Sequence, residues 1–413
     1  MSNWWFWLVQ FSRRLMVRAS AYGLFAVGAA LAAVWFAPFV PRELSERLGG
    51  EAVEGILTAL ASSMLAVSTF SLSAMVVAYT AASAQMTPRA ASFVTNDGAT
   101  QRALATFVGA FLFTVVALVA LGANYYGAEG RTILFLSTLV MVIIVAVTLI
   151  GWIDRLARLA QHGHVLTEVE EVARKALRSR CERRFMGGSE LGEISVEGVR
   201  VTAIGTGYVA NIDPSKLQKL AERVGGTIEI MADPGDFIVI GAPLLNLVGA
   251  SATDDAVRNE APAAFTFQDA RTFEQDPFYA VQVLVEIAAR ALSPGVNDPG
   301  TAILVVDSCY RVLEDWLREE NALAPTCAFD RLRARHLDGC ALVEHSLGEV
   351  ARYGAKDVAV AVRAQTALAT LAASNTGAFG ACVRKQAAIA LARAEQGLEF
   401  EADRERVRAA ARG

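Results

Sequence analysis

Five hydroxyl side chains, Thr58, Ser62, Thr69, Ser73 and Thr80, recur at intervals of 4, 7, 4 and 7 residues within a stretch that holds no Asp, Glu, Lys or Arg between Glu54 and Arg89. Those intervals follow the helical period, so the five form one stripe. Ser63, Ser68 and Ser71 lie beside it. In hydrocarbon such hydroxyls either bond their own backbone or a neighbouring helix, which makes a packing face, or line a polar pathway between several copies of the helix. A second chemical candidate is the run from Arg290 to Pro299. There Pro294 and Gly295 stop one helix, Asn297 or Asp298 caps the next, and Pro299 suits its first turn. The positive end of the capped helix would suit an anion, making Arg290, Ser293, Asn297 and Asp298 a ligand or interface loop; in the other reading Asp298 fills that position itself. Glu274, Asp276, Glu286 and Arg290 either join the loop in a charged cluster or form structural ion pairs.

Other chemistry finds little support. No GxSxG elbow, HExxH helix or GxxxxGK[ST] loop occurs, so no catalytic residue is assigned and catalysis is not expected. His162 and His164 flank Gly163 without a nearby carboxylate or thiol trio, and no metal site is expected. The five cysteines are scattered without a CxxC pair and read as buried thiols in a reducing compartment. The segment from Pro234 to Leu244 resembles a half-motif of biotinyl and lipoyl carrier domains. Those domains carry their cofactor on a lysine of a following hairpin, and here no lysine occurs between Lys219 and Lys356, so no cofactor is expected. A net charge of −4 offers no basic field for nucleic acid.

The elements that position these residues follow from charge segregation. The 413 residues are 54% hydrophobic and 19% charged, too apolar for an ordinary soluble chain and too charged for one wholly in lipid. Charge-free gaps run from Arg18 to Arg42, Glu54 to Arg89, Arg102 to Glu129 and Arg131 to Asp154. Each holds the roughly 20 apolar residues that a helix needs to cross a bilayer. This predicts spans at 19–38, 55–81, 103–122 and 132–153 within a transmembrane domain, 1–160. Arg13, Arg14 and Arg18, then Arg89 and Arg102, then Arg155 and Arg158 flank the spans on one side, which the positive-inside rule makes cytoplasmic; both termini belong there. Ser12-Arg13-Arg14 is read as part of this flank rather than as a twin-arginine signal, because three more spans follow. Trp4, Trp5, Phe6, Trp7 and Phe11 read as an interfacial anchor. The spans contain no charge of the kind that driven transport uses, so a passive route lined by hydroxyls fits better.

Behind them the pattern predicts a helical connector at 161–190, a small strand-rich cytosolic domain at 191–252 with a turn at Asp233-Pro234-Gly235-Asp236, and a helical cytosolic domain at 270–413. Helices of the last are expected at 277–292, 299–320, 330–352, 356–374 and 375–411. The fold class is thus a four-helix transmembrane bundle followed by a mixed α/β domain and an α-helical domain.

Two runs carry a family resemblance: Ser62-Ser63-Met64 through Ser83-Ala84-Gln85-Met86-Thr87-Pro88-Arg89, and Arg290-Ala291-Leu292-Ser293-Pro294-Gly295-Val296-Asn297-Asp298-Pro299-Gly300-Thr301-Ala302. With them the chain resembles an uncharacterised family of bacterial predicted membrane proteins. The resemblance implies a bacterial inner-membrane location and brings no activity. The residues themselves favour an oligomeric, channel-like permeation protein whose cytosolic part assembles or gates it. The alternative is a membrane-anchored binding or scaffold protein without transport. The expected partners are the lipid bilayer, further copies of the chain and a cytosolic protein or small ligand of unknown kind; nucleic acid is not among them.

Overall fold

A computed structural model describes residues 52–412 apart from 86, 91–97, 160–161 and 325, with a few positions between 20 and 28. The aromatic cluster from Trp4 to Phe11, the twin arginines and most of the expected span 19–38 lie outside the described residues. The chain forms two compact units. Among the described residues, one, here the apolar unit, takes those from 20 to 84 and from 98 to 165; the polar unit takes those from 85 to 90 and from 166 to 412.

The apolar unit contains α1 (Ala52–Gln85), α2 (Gly98–Gly122) and α3 (Ala128–Leu159). Among the described residues, three helical stretches are long and apolar enough to cross a membrane: Val53–Thr80, Gly98–Gly122 and Glu129–Leu156. The most buried of the three is α2, which encloses Ala105, Gly109, Phe113 and Ala117. Its small residues, one turn apart, admit close approach of neighbouring backbones. Phe113 and Ala117 share a core with Leu57 of α1 and Leu134 of α3. The outer surface is equally apolar, with Leu65, Phe70, Val77, Val119, Val147 and Ile150 exposed. Water penalises a continuous surface of this kind, whereas lipid accepts it because helices satisfy their own backbone groups.

In the polar unit, α4 (His162–Glu182) leads into β1 (Ser189–Glu190), β2 (Val199–Thr202), β3 (Gly207–Ile212), α5 (Pro214–Val224), β4 (Thr227–Ile230), β5 (Phe237–Ile238), β6 (Pro243–Val248), α6 (Asp255–Glu260) and β7 (Phe265–Gln268). Helix α5 shows how the sequence writes such elements. The Asp213 carboxylate accepts from the N–H groups of Ser215 and Lys216, Pro214 occupies the first turn, and Gly225 closes the helix at φ 66°. Between these caps Leu217, Leu220, Ala221 and Val224 fall on one face and are buried against Ile228, Leu245 and Leu247 of the sheet.

With β8 (Leu332–Ala334) the strands make a five-stranded sheet of order β1-β8-β4-β6-β2 and a three-stranded antiparallel sheet of order β5-β3-β7. Strand β8 runs parallel to both β1 and β4. It replaces the start of the helix expected at 330–352. The physical reason is the alternation Arg331-Leu332-Arg333-Ala334-Arg335, a period of two that buries Leu332 and Ala334 and exposes Arg333. Because β8 comes from the helical region, strands and helices are sewn into one body.

The helices of that region are α7 (Pro277–Ala291), α8 (Pro299–Ala322), α9 (Gly339–Val343), a π-helical turn (Glu344–Gly348), α10 (Glu349–Tyr353), α11 (Val358–Ser374), α12 (Gly377–Gly397) and α13 (Glu401–Arg412). The single helix expected at 375–411 breaks at Leu398, which is buried with Ala361, Ala394 and Val407. Helix α4 is fastened to α8 by a two-pronged pair in which Arg311 Nε and Nη2 donate to Glu170 at 2.9 and 2.5 Å. Of the cysteines, Cys181 and Cys309 are buried as expected; Cys327 is exposed in the loop after α8, and Cys340 and Cys382 are partly exposed.

Candidate functional site

A cleft of about 660 Å³ opens within the polar unit. One wall is the face of α7 that presents Phe278, Gln282, Val285, Glu286 and Ala289. The opposite wall is formed by the segment from Arg335 to Tyr353, and the turn Asp233-Pro234-Gly235-Asp236 closes one end.

Each wall is held by specific polar contacts. Asp276, only 2% exposed, accepts from the Tyr279 N–H at 3.1 Å and so caps α7. The same carboxylate receives Arg271 Nε at 2.7 Å and Nη2 at 2.9 Å. Burial pushes the Asp276 carboxyl above its ordinary range, opposed by the Arg271 guanidinium. Arg271 also donates to Gln282 Oε1 at 2.6 Å, and Gln282 Nε2 donates to Glu286 Oε1 at 2.9 Å. That Glu286 oxygen also accepts from the Arg89 guanidinium. A continuous chain of contacts thus runs from Asp276 through Arg271, Gln282 and Glu286 to Arg89.

The turn is fitted to this arrangement. Gly235 adopts φ 94° and its N–H donates to the Val209 carbonyl at 2.9 Å. A Cβ there would lie 2.2 Å from the Asp276 carboxylate, so no other residue fits. Beside the turn, Asp233 lies 3.6 Å from Arg180 and 3.7 Å from Arg335. Arg180 also donates to the Arg335 carbonyl at 3.1 Å. Burial draws the Arg180 guanidinium below its ordinary range while Asp233 opposes that pull; burial likewise raises Asp233 while Arg180 opposes it. On the far wall Asp338 caps α9 by accepting from the N–H groups of Cys340 and Ala341. His345 lies in the π-helical turn and packs edge-on against Phe278, with ring centroids 5.9 Å apart. Such widened turns cluster at functional sites. His336, also at the cleft, is bonded to Glu320 at 3.0 Å.

The residues singled out by sequence lie elsewhere. Thr58, Ser62, Thr69, Ser73 and Thr80 are exposed on the side of α1 opposite Leu57, Leu60, Met64 and Met75, which are buried. Ser62, Thr69, Ser73 and Thr80 donate to backbone carbonyls one turn back, at 3.1, 2.5, 2.9 and 3.0 Å. The Ser68 and Ser71 hydroxyl oxygens are buried without a hydrogen-bond partner among the described residues. In the loop before α8, Ser293 Oγ donates to the Arg290 carbonyl at 2.6 Å, and Asn297 takes φ 49°. Asp298 accepts from Thr301 N and Oγ1 at 3.0 and 2.6 Å, capping α8 with its own side chain. Arg290, Ser293, Asn297 and Asp298 do not line the cleft. Of the charged cluster considered around that loop, Asp276 and Glu286 belong instead to the cleft's chain of contacts. Arg180, Asp233, Arg271, Gln282 and His345 carried no functional signal in the sequence beyond the turn motif at 233–236. Among the described residues, no group of three or more His, Cys, Asp or Glu side chains is placed to hold a metal ion.

A family model described as a predicted membrane protein, DUF2254, matches residues 12–370. Uncharacterised proteins of Mycobacterium bovis and Mycobacterium tuberculosis are each 32% identical to this chain over 116 residues. The match takes in 27% of this chain and 22% of each relative, so the chain spans about a fifth of the length of these curated proteins. No solved structure matches.

Proposed function

Because the chain belongs to the DUF2254 family of predicted membrane proteins, we propose that it is a membrane-anchored binding protein whose polar unit takes a small ligand in the cleft between α7 and the Arg335–Tyr353 segment. The observation that carries this reading is a recess of about 660 Å³ combining apolar and aromatic lining with a few anchored polar groups. That volume and mixture are typical of small-molecule sites. The reading is of binding; of the two histidines at the cleft, His336 is bonded to Glu320 and His345 packs against the Phe278 ring. The Arg-rich flanks of the spans favour a bacterial inner membrane with the polar unit and both termini on the cytoplasmic side. A reporter fused after Gly413 tests this, and a periplasmic signal would reverse it.

The binding reading is tested with the full chain in detergent. Small compounds that raise the unfolding temperature should do so less in Ala289→Phe, which narrows the cleft. A ligand at 100 times its Kd adds about 2.7 kcal/mol, well within reach of the measurement. If no compound in a chemically varied set stabilises the protein, or if all act equally on Ala289→Phe, the reading falls.

A second reading, an oligomeric permeation protein, is favoured by one observation: the hydroxyl stripe of α1 faces away from that helix's buried side. The hydroxyl protons are used within the helix, which leaves the oxygens to act as acceptors toward a permeant or another copy. Reconstituted protein should then pass solute, and Thr69→Val with Ser73→Ala should change the flux. Flux that is absent, or indifferent to both replacements, removes this reading.

A further inference from the structure

One carboxylate of the cleft wall, Glu286, is held by a cation from outside the lining. Three arginines line the cleft against five carboxylates, Asp233, Asp236, Glu286, Asp338 and Glu349, so its field attracts positive charge. Most of these carboxylates are committed to their surroundings. Asp233 is shared by Arg180 and Arg335, Asp236 accepts from the Asp233 N–H, Asp338 caps α9 and Glu349 pairs with Arg352 three residues on. Glu286 differs. Its cation comes from Arg89, in the short segment 85–90 that is distant in sequence from the cleft walls. The Glu286 side chain is 21% exposed and part of the wall, while that of Arg89 is 54% exposed. Returning such an exposed guanidinium to water costs little. Gln282 donates to Glu286 Oε1 and steadies that carboxylate on the cleft wall. Phe278 and Tyr353 supply aromatic surface of the kind that organic cations favour.

We propose, building on the binding reading above, that the ligand of the cleft is an organic cation whose guanidinium or primary ammonium group takes the place of Arg89 on Glu286. Arg89 is then a tethered competitor. Its release reports occupancy to the chain four residues beyond Gln85, the last residue of α1.

The test is titration calorimetry of the full chain in detergent with agmatine, which carries both kinds of group. Agmatine should bind the wild type. Glu286→Gln should weaken it more than tenfold, since a hydrogen bond between charged groups is lost. Arg89→Gln should tighten it about three- to fivefold, because the competitor is gone. This increase is what a structural role for Arg89 would not produce, and it stands even if Glu286→Gln fails to fold. Agmatine binding that Arg89→Gln weakens, or that a folded Glu286→Gln leaves unchanged, overturns the proposal. So does stabilisation, sensitive to Ala289→Phe, by neutral or anionic compounds alone with agmatine inert; in that case the binding reading survives and the cationic ligand does not.

Discussion

Ser73 and Arg311 satisfy their polar atoms by opposite routes: Ser73 donates to the Thr69 carbonyl one turn back, whereas Arg311 grips Glu170 across 141 residues of chain. The contrast extends to the units they belong to. On α1 of the apolar unit, Ser62, Thr69, Ser73 and Thr80 close their hydrogen bonds within the helix. In the polar unit, Arg180 and Arg271 reach partners on other elements, and these contacts shape the cleft. Polar groups satisfied locally can be altered one at a time. Those satisfied at a distance hold elements together, so their loss is felt throughout the unit.

Four replacements test that contrast. The largest effect is expected from Gly235→Ala, which forces a side chain into φ 94° and against the Asp276 carboxylate. A loss of at least about 3 kcal/mol is expected in denaturant unfolding; a loss below about 1 kcal/mol would show that the turn is not fixed to α7. Asp276→Asn removes the two-pronged Arg271 contact and weakens the cap of α7, and should cost about 2–3 kcal/mol. A fall in helix content measured by circular dichroism should accompany it.

Glu170→Gln comes next and brings a pH signature. Burial alone would raise the Glu170 carboxyl, but hydrogen bonds from Arg311 and Ser308 and the charges of Arg311 and Arg174 outweigh it and hold it below the ordinary range. A carboxylate lowered in the folded state contributes stability above its unfolded pKa and loses it as pH falls through the folded value. Wild type should therefore exceed Glu170→Gln by about 1–2 kcal/mol near neutrality. The two unfolding temperatures should converge in acid below the ordinary glutamate range; a gap that is constant with pH would deny Glu170 this role. The smallest effect belongs to Thr69→Val with Ser73→Ala, at most about 0.5 kcal/mol on unfolding, because these hydroxyls are exposed and bonded within their own helix. A larger loss would mean that the stripe is covered by another copy, and the contrast between the units would weaken.

How much could be read in advance follows the same division. Hydrocarbon excludes charge, so gaps such as Glu54 to Arg89 mark membrane helices without any tertiary information. Caps are equally local, and Asp298-Pro299 opens α8 where its chemistry predicts. Strand β8 was hidden because two apolar residues alternating with three arginines resemble a helix edge when helices surround them. The cleft was hidden for a deeper reason. Arg180, Asp233, Arg271 and Arg335 lie on four separate segments, and only the folding of β8 back beside β4 gathers them. The hydroxyl stripe stood out in sequence for its periodicity, yet periodicity reports a shared face and does not say what lies opposite that face.

The π-helical turn at Glu344–Gly348 carries a spare residue in its backbone. Losing one residue there would restore ordinary α-helical winding, and because the widened turn already absorbs its extra residue, the helix beyond would keep its direction. Glu349 and Tyr353 would stay at the rim, while the segment that carries His345 against Phe278 would tighten. A single-codon deletion would thus reshape one wall of the recess and leave its opening in place.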